Sequence, residues 1–270
     1  MRTKLYQCML IRNRWYKSGQ TNAMTHIVVH SSGANNPTLK RYVQPTLRQS
    51  EGMAQLQPVE RNMSYYEMLA VLGTNDFAND WNRASQPYGM HAWVGKTASG
   101  EVAIVQTLPW ASYLWGVGTG VNGSYNSKAI QFEISEDTSD AKYTGQAYKA
   151  AVELCAYLCR EFGIPVENVV SHKEAGLTGW GDTHVDPEHW WALYGYTMAG
   201  FRRDVKALLD GEKVEQMRYQ TLEQVPAWAT TTVQKLLDRD ILQGTGDGLN
   251  LSEDMTRMLV ILDRAGTFDR

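Results

Sequence analysis

Residues 143–162, "YTGQAYKAAVELCAYLCREF", set Ala147, Ala151, Leu154, Cys155, Leu158, Cys159 and Phe162 at helical spacing, and Gly163 and Pro165 end the run. Apolar stretches of strand length stand on both sides of this helix. "THIVVHSS" reads as a buried strand that breaks at the polar "SSGANNPTLK", while "HAWVGK" and "EVAIVQTL" flank the turn "TASG" as a hairpin. "AIQFEIS" follows the glycine-rich "GVGTGVNGSYNS", and "NVVSH" comes after the helix. A second amphipathic helix lies near "MAGFRRDVKALLD". The order strand, hairpin, strand, helix, strand, helix predicts an α/β fold, a mixed central β-sheet flanked by helices. At 270 residues and 43% hydrophobic content, the chain can build one such core and a small appendage.

The division follows from composition. Residues 1–210 hold the sheet domain, and the polar "GEKVEQMRYQ", 211–220, lacks apolar periodicity and reads as a linker. Residues 221–270 form a small helical domain: Pro226 opens a helix carrying Trp228, Ala229, Val233, Leu236 and Leu237. "QGTGDG" breaks the chain, and Ser252 caps a second helix with Met255, Leu259 and Leu262 on one face. Two helices make a small core, so this unit is expected to pack on a partner or on a second copy, giving a homo-oligomer.

A net charge of -3 gives no electrostatic footprint for nucleic acid. The longest apolar run at the N-terminus is Met9-Leu10-Ile11, too short for a signal peptide core, and no window approaches the roughly 18 apolar residues of a membrane span. Synthesis in the cytoplasm without membrane insertion is expected. Cys8, Cys155 and Cys159 are an odd set without a secretory signal, and Cys155 and Cys159 share a helical face, so reduced core cysteines fit better than a disulfide or a four-ligand zinc site.

His30 and His172 each stand at the carboxyl end of a predicted strand, before a loop, and Asp186 follows His172 in "HKEAGLTGWGDTHVD". Two imidazoles, one carboxylate and an open position for water are the donor set of a catalytic zinc site; isolated polar residues at strand ends are the other reading. Glu133 tips the balance, because "IQFEIS" sets Glu133 and Gln131 on one face of a strand whose other face is Ile130, Phe132 and Ile134. A carboxylate there is costly unless a cation or a reaction uses it. Other motifs fall short. "HKE" lacks the Pro-Cys-x-x-Cys half of nucleobase deaminases, no His-Glu-x-x-His occurs, and "GVGTG" lacks the Gly-Lys-Ser/Thr of a phosphate loop. His26 lies four strand residues, roughly 13 Å, from His30 and cannot share its ion. Core packing or a backbone hydrogen bond is expected for His26 and His91, and His189 is a weak alternative ligand.

Together "HIVVHSSGANNP", "HAWVGKTASGEVAIVQTLPW", "NSKAIQFEIS" and "VVSHKEA...HVDPEHW" resemble, in order, the motifs of zinc-dependent type-2 N-acetylmuramoyl-L-alanine amidases, a class related to peptidoglycan recognition proteins. The resemblance covers roughly residues 4–208. It implies that His30, His172 and Asp186 bind Zn2+, that Glu133 matches the catalytic glutamate of the family's Ile-Gly-Ile-Glu strand, and that bacterial peptidoglycan is the partner. His184 falls where relatives often carry a lysine that steadies the oxyanion. "LWGVG" has Gly116 where relatives read Trp-His-x-Gly; Trp115 is retained, as a substrate-facing aromatic or as a core indole. Residues 221–270 resemble one S-layer-homology-like helix pair, which implies wall binding or self-association. Many relatives are phage endolysins, released through membrane lesions to reach the wall. A non-catalytic wall-binding module and a zinc peptidase acting within the stem peptide are the rival expectations.

Overall fold

The computed structural model describes residues 1–44, 53–216, 218–246 and 248–268. It divides into two compact units, Met1–Lys206 and Ala207–Arg270. Among the described residues, no helix is long and apolar enough to cross a membrane.

The first unit runs β1 (Leu5–Gln7), α1 (Arg14–Ser18), β2 (His26–Ser31), β3 (Ala54–Gln57), β4 (Arg61–Asn62), α2 (Tyr65–Leu72), β5 (Ala92–Lys96) and β6 (Val102–Gln106). It continues with β7 (Ala129–Ile134), α3 (Ala141–Phe162), β8 (Val169–Ser171), α4 (His172–Leu177), α5 (Glu188–Trp191) and α6 (Met198–Gln216), whose end passes into the second unit. These strands form one sheet in the order β4-β3-β1-β6-β5-β7-β2-β8. The expected mixed sheet is therefore present, and β5 and β6 pair as the antiparallel hairpin. Strands β5, β7, β2 and β8 are mutually parallel, so their carboxyl ends share one edge. Sequence reading missed β1, β3 and β4, which at three, four and two residues are too short to show a period.

Helix α3 forms where its spacing predicts. Asp140 caps it by accepting from the Tyr143 N–H, and Gly163 closes it in the left-handed conformation. One face buries Ala147, Ala151, Leu154, Cys155 and Leu158, so two of the free cysteines are core residues, and Cys8 is buried as well.

The second unit holds β9 (Arg218–Tyr219), α7 (Ala227–Asp238), β10 (Leu251–Ser252) and α8 (Glu253–Arg264). Strands β9 and β10 pair antiparallel, and Tyr219, Val225, Ala229, Val233, Leu251 and Val260 make its core. The expected linker at 211–220 needs correction: α6 continues to Gln216 and Arg218–Tyr219 is a strand. Apolar periodicity reports a packed face, and a polar run of Glu, Lys and Gln keeps its helical propensity without one.

His91, at the start of β5, illustrates a buried polar group with both nitrogens used. Its Nδ1 accepts from the Gln131 N–H at 2.9 Å, and a backbone N–H can only donate, so Nε2 carries the hydrogen and donates to the Ser112 carbonyl at 2.8 Å. Burial pulls its pKa down to about 4, against a raising influence of the Ser112 carbonyl. The unfolded chain therefore binds more protons between pH ~6.5 and 4, and His91's share of stability is lost as pH falls through that window. That share is expected to reach about 3 kcal/mol. Imidazole NMR checks it: titration of His91 near pH 6.5 in the folded protein would refute the burial argument.

Candidate active site

The parallel edge of the sheet gathers the polar residues singled out above. His30 ends β2 and stands in register with Glu133 on β7, which in turn faces Trp93 on β5. His172 is the first residue of α4, directly after β8. The sequence placed it before a loop, but a short helix follows because Ser171 and Glu174 form a capping box. Arg202 holds Glu174 through two hydrogen bonds of 2.8 and 2.9 Å, which ties the start of α4 to α6. Asp186 arrives at the end of the loop, before the cis Asp186-Pro187 bond.

His30 Nδ1 and His172 Nδ1 are 3.1 Å apart. Asp186 spans the pair, with Oδ2 at 3.3 Å from His30 Nδ1 and Oδ1 at 3.3 Å from His172 Nδ1. The Ser31 N–H donates to Asp186 Oδ2 as well. All three side chains are buried. On the far sides of the rings, His30 Nε2 meets Gln131 Oε1 at 2.9 Å and His172 Nε2 meets Asp182 Oδ1 at 2.7 Å. Two imidazole nitrogens this close need either a shared hydrogen or a metal cation between them. The donor set of two nitrogens and one oxygen fits a divalent cation of the zinc type.

The electrostatics agree with that geometry. Burial lowers the His30 pKa, against the pull of Asp186. Burial opposes charge on His172 too, yet Asp186 and Asp182 outweigh it and raise its pKa. Asp186 is held well below the ordinary carboxylate range, because His172 and His30 overcome its desolvation. Glu133 goes the other way: burial, Asp186 and Glu136 push its pKa well up, and its Oε2 is buried without a hydrogen-bond partner among the described residues.

These residues line a cavity of about 510 Å³ with Trp115, Tyr88 and Trp81 on its walls. Trp115 is 37% exposed and so is not a core indole. His184 stacks flat on His172, with ring centroids 4.2 Å apart, and its Nδ1 lies 3.4 Å from Asp186 Oδ1. His189 lines the same cavity but pairs with Glu136 at 3.2 Å and is in neither group of convergent ligand atoms, and His26 bonds Thr25 and packs on Tyr125. Sequence reasoning missed Asp182 and Glu136. Asp182, His184 and Asp186 alternate in "DTHVD", and that alternation was the available signal, since every second residue of an extended segment faces one way.

Two buried imidazoles and a buried carboxylate thus converge beside a half-buried glutamate on one open cavity. The chain belongs to the N-acetylmuramoyl-L-alanine amidase family, whose sequence model matches residues 20–189. It is 34% identical over 70 residues to the N-acetylmuramoyl-L-alanine amidase CwlA of a Bacillus species, a match spanning 26% of this chain and 28% of that protein. Among solved structures it is similar to PlyL (TM-score 0.45, 19% identity, 76% of this chain and 97% of that one). It is also similar to the Staphylococcus aureus hydrolase AmiA in complex with its ligand (TM-score 0.48, 15% identity, 79% and 85%).

Proposed function

We propose that this chain is a zinc-dependent peptidoglycan hydrolase that cleaves the amide between N-acetylmuramic acid and the L-alanine of the stem peptide. The observation that carries the reading is the pairing of the His30, His172 and Asp186 cluster with the unpartnered Glu133 Oε2 in one cavity, in a chain of the amidase family. His30 Nδ1, His172 Nδ1 and Asp186 hold the metal. Zinc bound there supplies a Lewis acid that polarises the scissile carbonyl and acidifies a water.

The chain's own groups supply the rest. Glu133 Oε2 takes the proton of the attacking water and returns it to the leaving amine; a buried carboxylate with a raised pKa suits both transfers. His184, exposed beside the cluster, donates to the developing oxyanion, a contribution of about 3 kcal/mol for one such donor. Trp115 offers an apolar face to the substrate on the cavity wall. Asp182 holds the His172 ring through Nε2.

Mass spectrometry of digested peptidoglycan tests the reaction. Free L-alanine amines together with intact muramic lactyl carboxylates are expected. Cuts between stem amino acids would replace this reading with a peptidase, and binding without cleavage would replace it with a recognition module. We assign cell-wall attachment, direct or through self-association, to residues 221–270, where Trp228, Met258 and Ile261 are exposed. Deleting residues 213–270 and measuring both mass and wall pull-down separates the two: lost binding at unchanged mass means direct attachment. A phage endolysin that reaches the wall through membrane lesions is the biological setting this reading favours.

A further inference from the structure

We infer that Gln131 is a positioning residue that fixes His30 in the tautomer whose Nδ1 is free to bind metal, through a buried relay that begins at two backbone amides. The inference rests on the zinc reading above. The Gly116 and Val117 N–H groups donate to one side-chain atom of Asn126, at 2.9 and 3.0 Å. Backbone N–H groups only donate, so that atom is the amide oxygen, and the Asn126 nitrogen correspondingly donates to the Gly118 carbonyl at 3.0 Å. The same Asn126 oxygen lies 3.1 Å from the Gln131 side chain, which must present its nitrogen there. The Gln131 oxygen is thereby left facing His30 Nε2 at 2.9 Å, so Nε2 carries the hydrogen and Nδ1 keeps its lone pair.

The three side chains of the relay are buried: Asn126 is 1% exposed, Gln131 0% and His30 1%. Loss of the Gln131 acceptor therefore leaves a buried N–H without its protein partner. Were the Gln131 amide reversed, its NH2 would face Nε2, His30 would carry its hydrogen on Nδ1, and that hydrogen would point at His172 and Asp186 in place of a cation. The acceptor is also neutral for a reason. Glu133, Asp186 and Glu136 already crowd carboxylates here, and a fourth would go unpaired. His172 differs, because its acceptor Asp182 is half exposed and can carry charge.

Space at Gly116 belongs to the same device. A Cβ there would lie 2.6 Å from Gln131 Oε1 and 2.7 Å from Met90 Cε, so the glutamine fills the volume that a side chain at 116 would need.

Two measurements on the full chain test the proposal. In the chelator-treated wild-type protein, two-bond 1H–15N spectra of the imidazoles are expected to show His30 with hydrogen on Nε2; hydrogen on Nδ1 would overturn the relay. Zinc competition titration of Gln131→Met, which keeps the volume and removes the acceptor, is expected to show about 10–100-fold weaker binding and a mixed His30 tautomer. Gly116→Ala, which leaves Gln131 chemically intact but displaces it, is expected to weaken zinc in the same way. A native-like Gln131→Met protein that binds zinc within about two-fold of wild type would sink the proposal alone. Wild-type protein that binds no zinc would instead sink the zinc reading on which it stands.

Discussion

Glu133→Gln is expected to bind zinc with wild-type stoichiometry and to lose about two to four orders of magnitude in turnover of peptidoglycan amide bonds. The carboxylate stands in register with His30 but contributes no atom to the cluster of nitrogens and oxygens around His30, His172 and Asp186. Glutamine keeps its shape and removes the proton-accepting charge. Because desolvation and two neighbouring carboxylates hold Glu133 toward its protonated form, the neutral amide should also be well tolerated by the fold. Metal content by mass spectrometry, with single-turnover rates beside it, checks both halves. Near-normal turnover would remove Glu133 from the chemistry, whereas lost zinc would move it into the ligand set.

The opposite pattern is expected for Asp186→Ala: zinc affinity and activity disappear together, with a loss of affinity beyond the ~10–100-fold typical of an outer partner. Asp186 touches both imidazoles, and without it His30 and His172 face each other with nothing between them to balance a divalent charge. The Ser31 N–H loses its carboxylate acceptor at the same time. Isothermal titration with zinc distinguishes this from a folding defect when the far-UV spectrum of the variant matches wild type. An Asp186→Ala protein that kept wild-type zinc affinity would show that two imidazoles and another group suffice.

How much of this was legible beforehand depends on where each residue draws its signal. Strand ends are marked by the switch from Val and Ile to polar loop residues, so His30 stood out, and Glu133 stood out as a charge inside an apolar strand. The mixed sheet followed from the spacing of α3 and its flanking strands. Asp182 was signalled only by its alternation with His184 and Asp186, and Glu136 was hidden because its partner Ser31 lies 105 residues away in sequence. The short strands β1, β3 and β4 were hidden because two to four residues carry no period. The end of α6 was hidden because its polar sequence shows none either. Gln131 was visible on the face of Glu133, yet its task depends on Asn126, whose orientation only backbone geometry fixes.

The volume shared by Gly116 and Gln131 has a consequence for descent. Gly116, which stands where relatives read histidine after the tryptophan, and Gln131 draw on a single space, since a Cβ at 116 would lie 2.6 Å from Gln131 Oε1. A side chain at 116 collides with Gln131, and a much smaller residue at 131 leaves a hole beside the buried His30 ring. Among descendants of this chain, a larger residue at 116 is therefore expected only together with a smaller one at 131.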